Sequence, residues 1–143
     1  MSCGKSALVG LAFVVLFAAG ALVLSLRSGD PWPLVYVKEG GFAGFAQELT
    51  LQENGDAILT DLRSQETERF TVDGDDMNRI EKALDKVDWA SAEGNRSVEG
   101  ADVLYLSIQF GGHSSRGALM TPEEDTLLPV VGLLDVVIAK SRV

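Results

Sequence analysis

Glu48-Leu49-Thr50-Leu51-Gln52, then Glu53-Asn54-Gly55-Asp56, then Ala57-Ile58-Leu59-Thr60-Asp61-Leu62 is the stretch that decides the fold. Its first part alternates polar and apolar residues, the period of a strand with one buried face. Asn54-Gly55 follows, a pair that tolerates positive φ and so favours a tight hairpin turn. Ala57 to Leu62 is then the returning strand. An antiparallel hairpin in the middle of a short chain predicts a sheet built from local connections.

Reading outward, Leu34-Val35-Tyr36-Val37-Lys38 is β-branched and aromatic and predicts a strand before the hairpin. Glu68 to Val72 predicts one after it. Asp73-Gly74-Asp75 ends this run and caps a helix over Asp75 to Asp88, where Met77, Ile80, Leu84 and Val87 recur on one face. Ser91 to Ala101 reads as a polar loop. Asp102 to Phe110 is the strongest strand signal, with Leu104, Leu106, Ile108 and Phe110 on one side. Gly111-Gly112 turns it back into Ser115 to Met120. Thr121-Pro122-Glu123-Glu124 carries a capping-box pattern that starts the last helix. Pro129 kinks that helix or starts it afresh, and Val130, Val131, Leu134, Val137 and Ile138 form its buried face. The expected fold is α+β: an antiparallel sheet of about six strands with two helices packed on one face, in the order ββββ-α-ββ-α.

The chain has 143 residues, a one-domain length, and a net charge of −9. Ala7 to Leu26, ALVGLAFVVLFAAGALVLSL, is 20 residues without a charge. A helix of that length spans about 30 Å, the thickness of a bilayer's hydrocarbon core. Two readings are open: a retained transmembrane anchor, or a cleaved signal peptide with small residues at Ala19-Gly20-Ala21. The expected organisation is a short tail at 1–6, the anchor or signal helix at 7–26, a linker at 27–33 and a domain at 34–143. Both readings put the domain outside the cytoplasm: a single-pass membrane protein, or a secreted or periplasmic one after cleavage. Trp32, in the proline-rich linker, suits the membrane interface or packing on the domain. Cys3 is the single cysteine, so no disulfide forms within the chain.

Without Lys5 and Arg27, the 12 cations fall to 10; without Asp30, the 21 acids fall to 20. The region from Pro31 onward therefore carries −10. Such a surface repels phosphate backbones, so no nucleic-acid partner is expected.

Residues for chemistry are scarce. His113 is the one histidine and sits in a Gly-Gly-His-Ser turn, where an exposed turn residue is the simplest reading. A zinc site needs three or four converging ligands, and the domain has no cysteine and no second histidine. Asp75-Asp76 and Glu123-Glu124-Asp125 fall at helix starts, where the helix dipole favours negative charge. Asn95-Arg96-Ser97 matches the glycosylation sequon. No phosphate loop or dinucleotide fingerprint is present. The expectation is no catalytic residue, no metal, no cofactor and no small-molecule substrate.

The best candidate for function is Gly40-Gly41-Phe42-Ala43-Gly44-Phe45. It is read either as a bulged hairpin whose phenylalanines fold into the core, or as a rim loop that offers backbone and Phe42 to a partner. Gly40, Gly41, Phe42, Ala43 and Gly44 are the expected partner-binding residues.

Val37 to Gly44 resembles the Ser-Gly-Gly-Phe-Ala-Gly signature of the emfourin family, proteinaceous inhibitors of thermolysin-like (M4) metalloproteases. Gly100 to Tyr105 is similar to that family's Asp-x-x-Tyr strand, and Pro122 with Leu127 to Leu134 to its last helix. The similarity covers roughly Val35 to Ile138. Glu39 stands where the family usually has Ser, and a hydrophobic segment precedes the domain. The resemblance implies a non-enzymatic, protein-binding domain with an M4-type metalloprotease as partner. The other reading is a membrane-anchored accessory or assembly subunit of an envelope complex without inhibitory activity.

Overall fold

The computed structural model describes residues 30–96, 103–118 and 126–143. The chain divides into two units, Met1–Asp30 and Pro31–Val143, and the fold described is that of the second. The segment 7–26 lies outside the described residues, among which no helix is long and apolar enough to cross a membrane.

Seven strands form one sheet in the order β4-β3-β2-β1-β6-β7-β5. They are β1 (Leu34–Gly40), β2 (Phe45–Leu51), β3 (Asp56–Asp61), β4 (Thr67–Thr71), β5 (Gly94–Arg96), β6 (Leu104–Phe110) and β7 (His113–Ala118). Three helices accompany them: α1 (Gly74–Leu84), the single turn α2 (Trp89–Ala92) and α3 (Leu128–Ser141). The α+β class and the six antiparallel strands stand as the sequence reading has them. The polar loop from Ser91 does not: it contains the end of α2 and then β5, which adds to β7 in parallel. These pieces are too short to show a period, so only the tertiary pairing reveals them.

The register sets the core. Leu34 lies opposite Leu51, Tyr36 opposite Leu49 and Ile108, and Leu49 opposite Leu59. All of these are buried on one face with Met77, Ile80, Leu84 and Val87 from the first helical region. Val130, Val131, Leu134, Val137 and Ile138 of α3 complete the cluster, the same five that the periodicity selects. Each fully buried side chain of this kind contributes about 1.5–3 kcal/mol. Pro129 falls in the first turn of α3, where its missing N–H removes no helical bond. It therefore starts this helix rather than kinking it; the expected cap, residues 121–124, lies outside the described residues.

The two hairpin turns trade the expected geometries. Asn54 keeps negative φ, and Gly55 alone is left-handed at φ +87°. Its N–H donates to the Gln52 carbonyl at 3.0 Å, and Gln52 N–H donates to Asp56 at 2.8 Å, so the loop is longer than two residues. A Cβ on Gly55 would lie 2.8 Å from the Val72 carbonyl oxygen, which explains why glycine stands there. Gly111-Gly112 makes the two-residue turn instead, both at positive φ, with Phe110 paired to His113.

The register also sorts the loops into two ends. Gly40 pairs with Phe45 and Leu104, and Leu62 N–H donates to Ala46 at 2.7 Å. The glycine turn, the Leu62–Glu66 turn and Val103 thus share one end of the sheet. Pro31, Gln52–Gly55 and Gly111-Gly112 share the other. β1 separates these ends by roughly 20 Å at about 3.4 Å per residue.

Residues 31–33 are not a free linker. Gly111 N–H donates to the Pro31 carbonyl at 2.9 Å. Trp32 packs edge-on against Phe110 with ring centres 5.1 Å apart. Of the two readings of Trp32, packing on the domain is the observed one.

Candidate functional site

The expected site residues are contiguous and form the β1–β2 connection. Gly40, Gly41 and Gly44 take φ of +82°, +70° and +62°, a region in which side-chain-bearing residues are strained. Two hydrogen bonds fix the turn. Gly41 N–H donates to the Val103 carbonyl at 3.1 Å, and Gly44 N–H donates to the Gly41 carbonyl at 2.9 Å. A Cβ on Gly40 would stand 2.5 Å from the Val103 carbonyl oxygen. The glycines are therefore needed for close backbone approach as well as for dihedral freedom.

This frame holds Phe42 out of the molecule, with 95% of its surface exposed. Ala43 beside it is exposed too. The two phenylalanines separate: Phe45 is half-buried, and the Lys38 ammonium sits 4.5 Å above its ring. The reading in which both fold into the core is thus corrected for Phe42. The register places Phe45 on the core face of β2, whereas Phe42 stands at a turn tip with nothing opposite it.

Behind Phe45 lies a polar cluster. Lys38 Nζ donates to Asp135 Oδ2 at 2.8 Å, and Tyr36 Oη donates to Asp135 Oδ1 at 3.1 Å. Burial pushes the Tyr36 hydroxyl well above its ordinary range, and the Asp135 charge adds to this. The phenol therefore stays protonated and acts as a donor that ties β1 to α3, not as a base.

Arg63 borders the turn, and Asp61 holds the backbone of Arg63, without any sequence signal. The Arg63 guanidinium lies beside Gly44, 3.1 Å from where a Cβ would be. Asp61 accepts from the N–H groups of Ser64 and Arg63 at 2.9 and 2.8 Å. These bonds hold its carboxyl below the usual carboxylate range, the Ser64 bond most. Both neighbours are set by the β2–β3 register, which a linear reading does not contain.

His113 is not a bare turn residue. It opens β7, stacks on Trp89 with ring centres 5.0 Å apart, and pairs through Nδ1 with Glu93 at 2.5 Å. The stack and the hydrogen bond secure α2 against the sheet. Asp76 is buried at the start of α1 and pairs with Lys140 of α3, while Asp73 accepts from Asp76 N–H at 2.8 Å as the helix cap. Asp75 is exposed. Among the described residues no group of three or more His, Cys, Asp or Glu side chains could hold a metal ion.

No protein-family model matches the chain, and comparison with curated proteins and with solved structures gives no match either.

Proposed function

We propose that the domain acts outside the cytoplasm as a non-enzymatic binding module, with the Gly40–Gly44 turn as its contact and a thermolysin-like metalloprotease as its target. One observation carries this reading: a phenylalanine exposed over 95% of its surface at the tip of a turn whose backbone three glycines hold in place. An aromatic anchor that fills a partner's pocket is a common source of binding energy. A fixed loop has little conformational entropy left to lose on binding. The resemblance of this same turn to the emfourin signature supports a metalloprotease as the class of partner. The turn also lies at the end of the sheet opposite Pro31, where the preceding segment joins the domain.

Titrating the full-length protein against a thermolysin-like protease tests the proposal. Stoichiometric loss of peptide hydrolysis is the expected result. Unchanged hydrolysis at micromolar protein rules out inhibition of that enzyme.

A further inference from the structure

A second surface is built in the helical layer, well apart from the glycine turn. α1 and α3 run antiparallel: Lys140, near the end of α3, reaches Asp73 and Asp76 at the start of α1, and a groove of about 550 Å³ lies farther along the pair. One wall is Arg79, Lys82 and Ala83 of α1 with Lys86 in the turn just beyond it, and the α3 wall includes Pro129 and Leu133. Arg79, Lys82 and Ala83 lie three and four apart and form one stripe, and Lys86 lines the same wall past the helix end. Val136, 46% exposed, continues the α3 wall by one turn.

The charge distribution is what makes this groove unusual. The region from Pro31 carries 20 acids against 10 cations, yet three of those cations rim one groove. Glu81 of α1 and Asp85 at its C-cap are exposed and do not line the groove. Arg79 has only a long contact, 3.7 Å, to Asp76. Lys82 and Lys86 make no ion pair with any described residue. The result is an apolar floor between aliphatic helices under a basic rim, on a domain that is otherwise acidic.

We propose that this groove docks an amphipathic helix of a partner protein, with apolar residues at helical spacing flanked by Asp or Glu. Apolar anchors at i, i+3, i+4 and i+7 would pack between α1 and α3 in the manner of helix-in-groove recognition, and flanking carboxylates would meet Arg79, Lys82 and Lys86. An anionic bilayer fits less well. The groove is concave, and a flat membrane that reached its rim would also face Glu81 and Asp85, whereas one helix meets the basic stripe alone.

The probe is a fluorescein-labelled 14-residue helical peptide with Leu at the anchor positions and Glu beside them. A matched peptide carrying Lys in place of Glu is the control. Both are titrated against the full-length protein in neutral detergent and read by anisotropy. The expected result is saturable binding of the Glu peptide, weakened about tenfold by Lys82→Glu with Lys86→Glu and by raised salt. Phe42→Ala leaves it unchanged, so this result stands or falls independently of the metalloprotease reading. Equal binding of both peptides, or of wild type and the charge-reversed variant, overturns the proposal. So does binding that appears only after Glu123, Glu124 and Asp125 are changed to amides, because the chain's own segment is then the occupant. Co-flotation with phosphatidylglycerol vesicles, lost on charge reversal and without peptide binding, also overturns it in favour of a membrane.

Discussion

Two glycine turns at opposite ends of the same sheet place a phenylalanine in opposite circumstances. At Gly111-Gly112 the neighbouring Phe110 is covered by Trp32, and Pro31 is hydrogen-bonded to the turn itself. At Gly40–Gly44 the backbone is held as firmly, but Phe42 touches nothing that covers it. The first turn spends its aromatic on closing the domain where the chain enters. The second holds rigid backbone around a side chain that contributes no burial. Rigidity without burial is not explained by stability, and this contrast is the basis for assigning the second turn to recognition.

The contrast breaks first at Gly40. Gly40→Ala combines positive φ with a contact of 2.5 Å to a backbone oxygen, and we expect a loss of about 2–4 kcal/mol in chemical denaturation. A loss below about 1 kcal/mol would mean that the turn is looser than described. At the other end, Trp32→Ala removes an edge-on aromatic pair and part of its burial, which is expected to cost about 1–2 kcal/mol by the same measurement. Gly111→Ala follows, at about 1 kcal/mol: its Cβ comes closest to the Pro31 side chain, at 3.3 Å, although its φ is positive.

Much of this was legible in the sequence. The α1 and α3 core faces follow from spacings of three and four, and the antiparallel strands from alternation and turn residues. The glycine cluster marked the special turn, because three glycines around one phenylalanine signal a backbone with special dihedrals. The fate of Phe42 and Phe45 was not legible, since it depends on which face the β1–β2 register gives to Phe45. Arg63, Asp61 and the Val103 carbonyl were missed for the same reason. β5, a three-residue strand, is defined only by its parallel partner β7.

Acid sharpens the comparison further. The folded-state pKa of Asp61 lies below its ordinary value of 3.8, so its contribution is present above that value and is lost as pH falls through the folded pKa. Amide exchange at Arg63 and Ser64, beside the Phe42 turn, should accelerate in that window relative to the same residues' intrinsic acid-range rates. Asp61→Ala should remove the pH dependence there. Protection that persists in the variant would show that Asp61 does not hold this turn.

The smallest expected effect on stability, and the most direct test of the account, is Phe42→Ala. Paired denaturation and protease titration of this variant and the wild type should give midpoints within about 0.5 kcal/mol of each other. Inhibition should weaken at least about tenfold, as expected for a removed anchor. A variant that inhibits as well as the wild type would contradict the assignment of the turn as the contact.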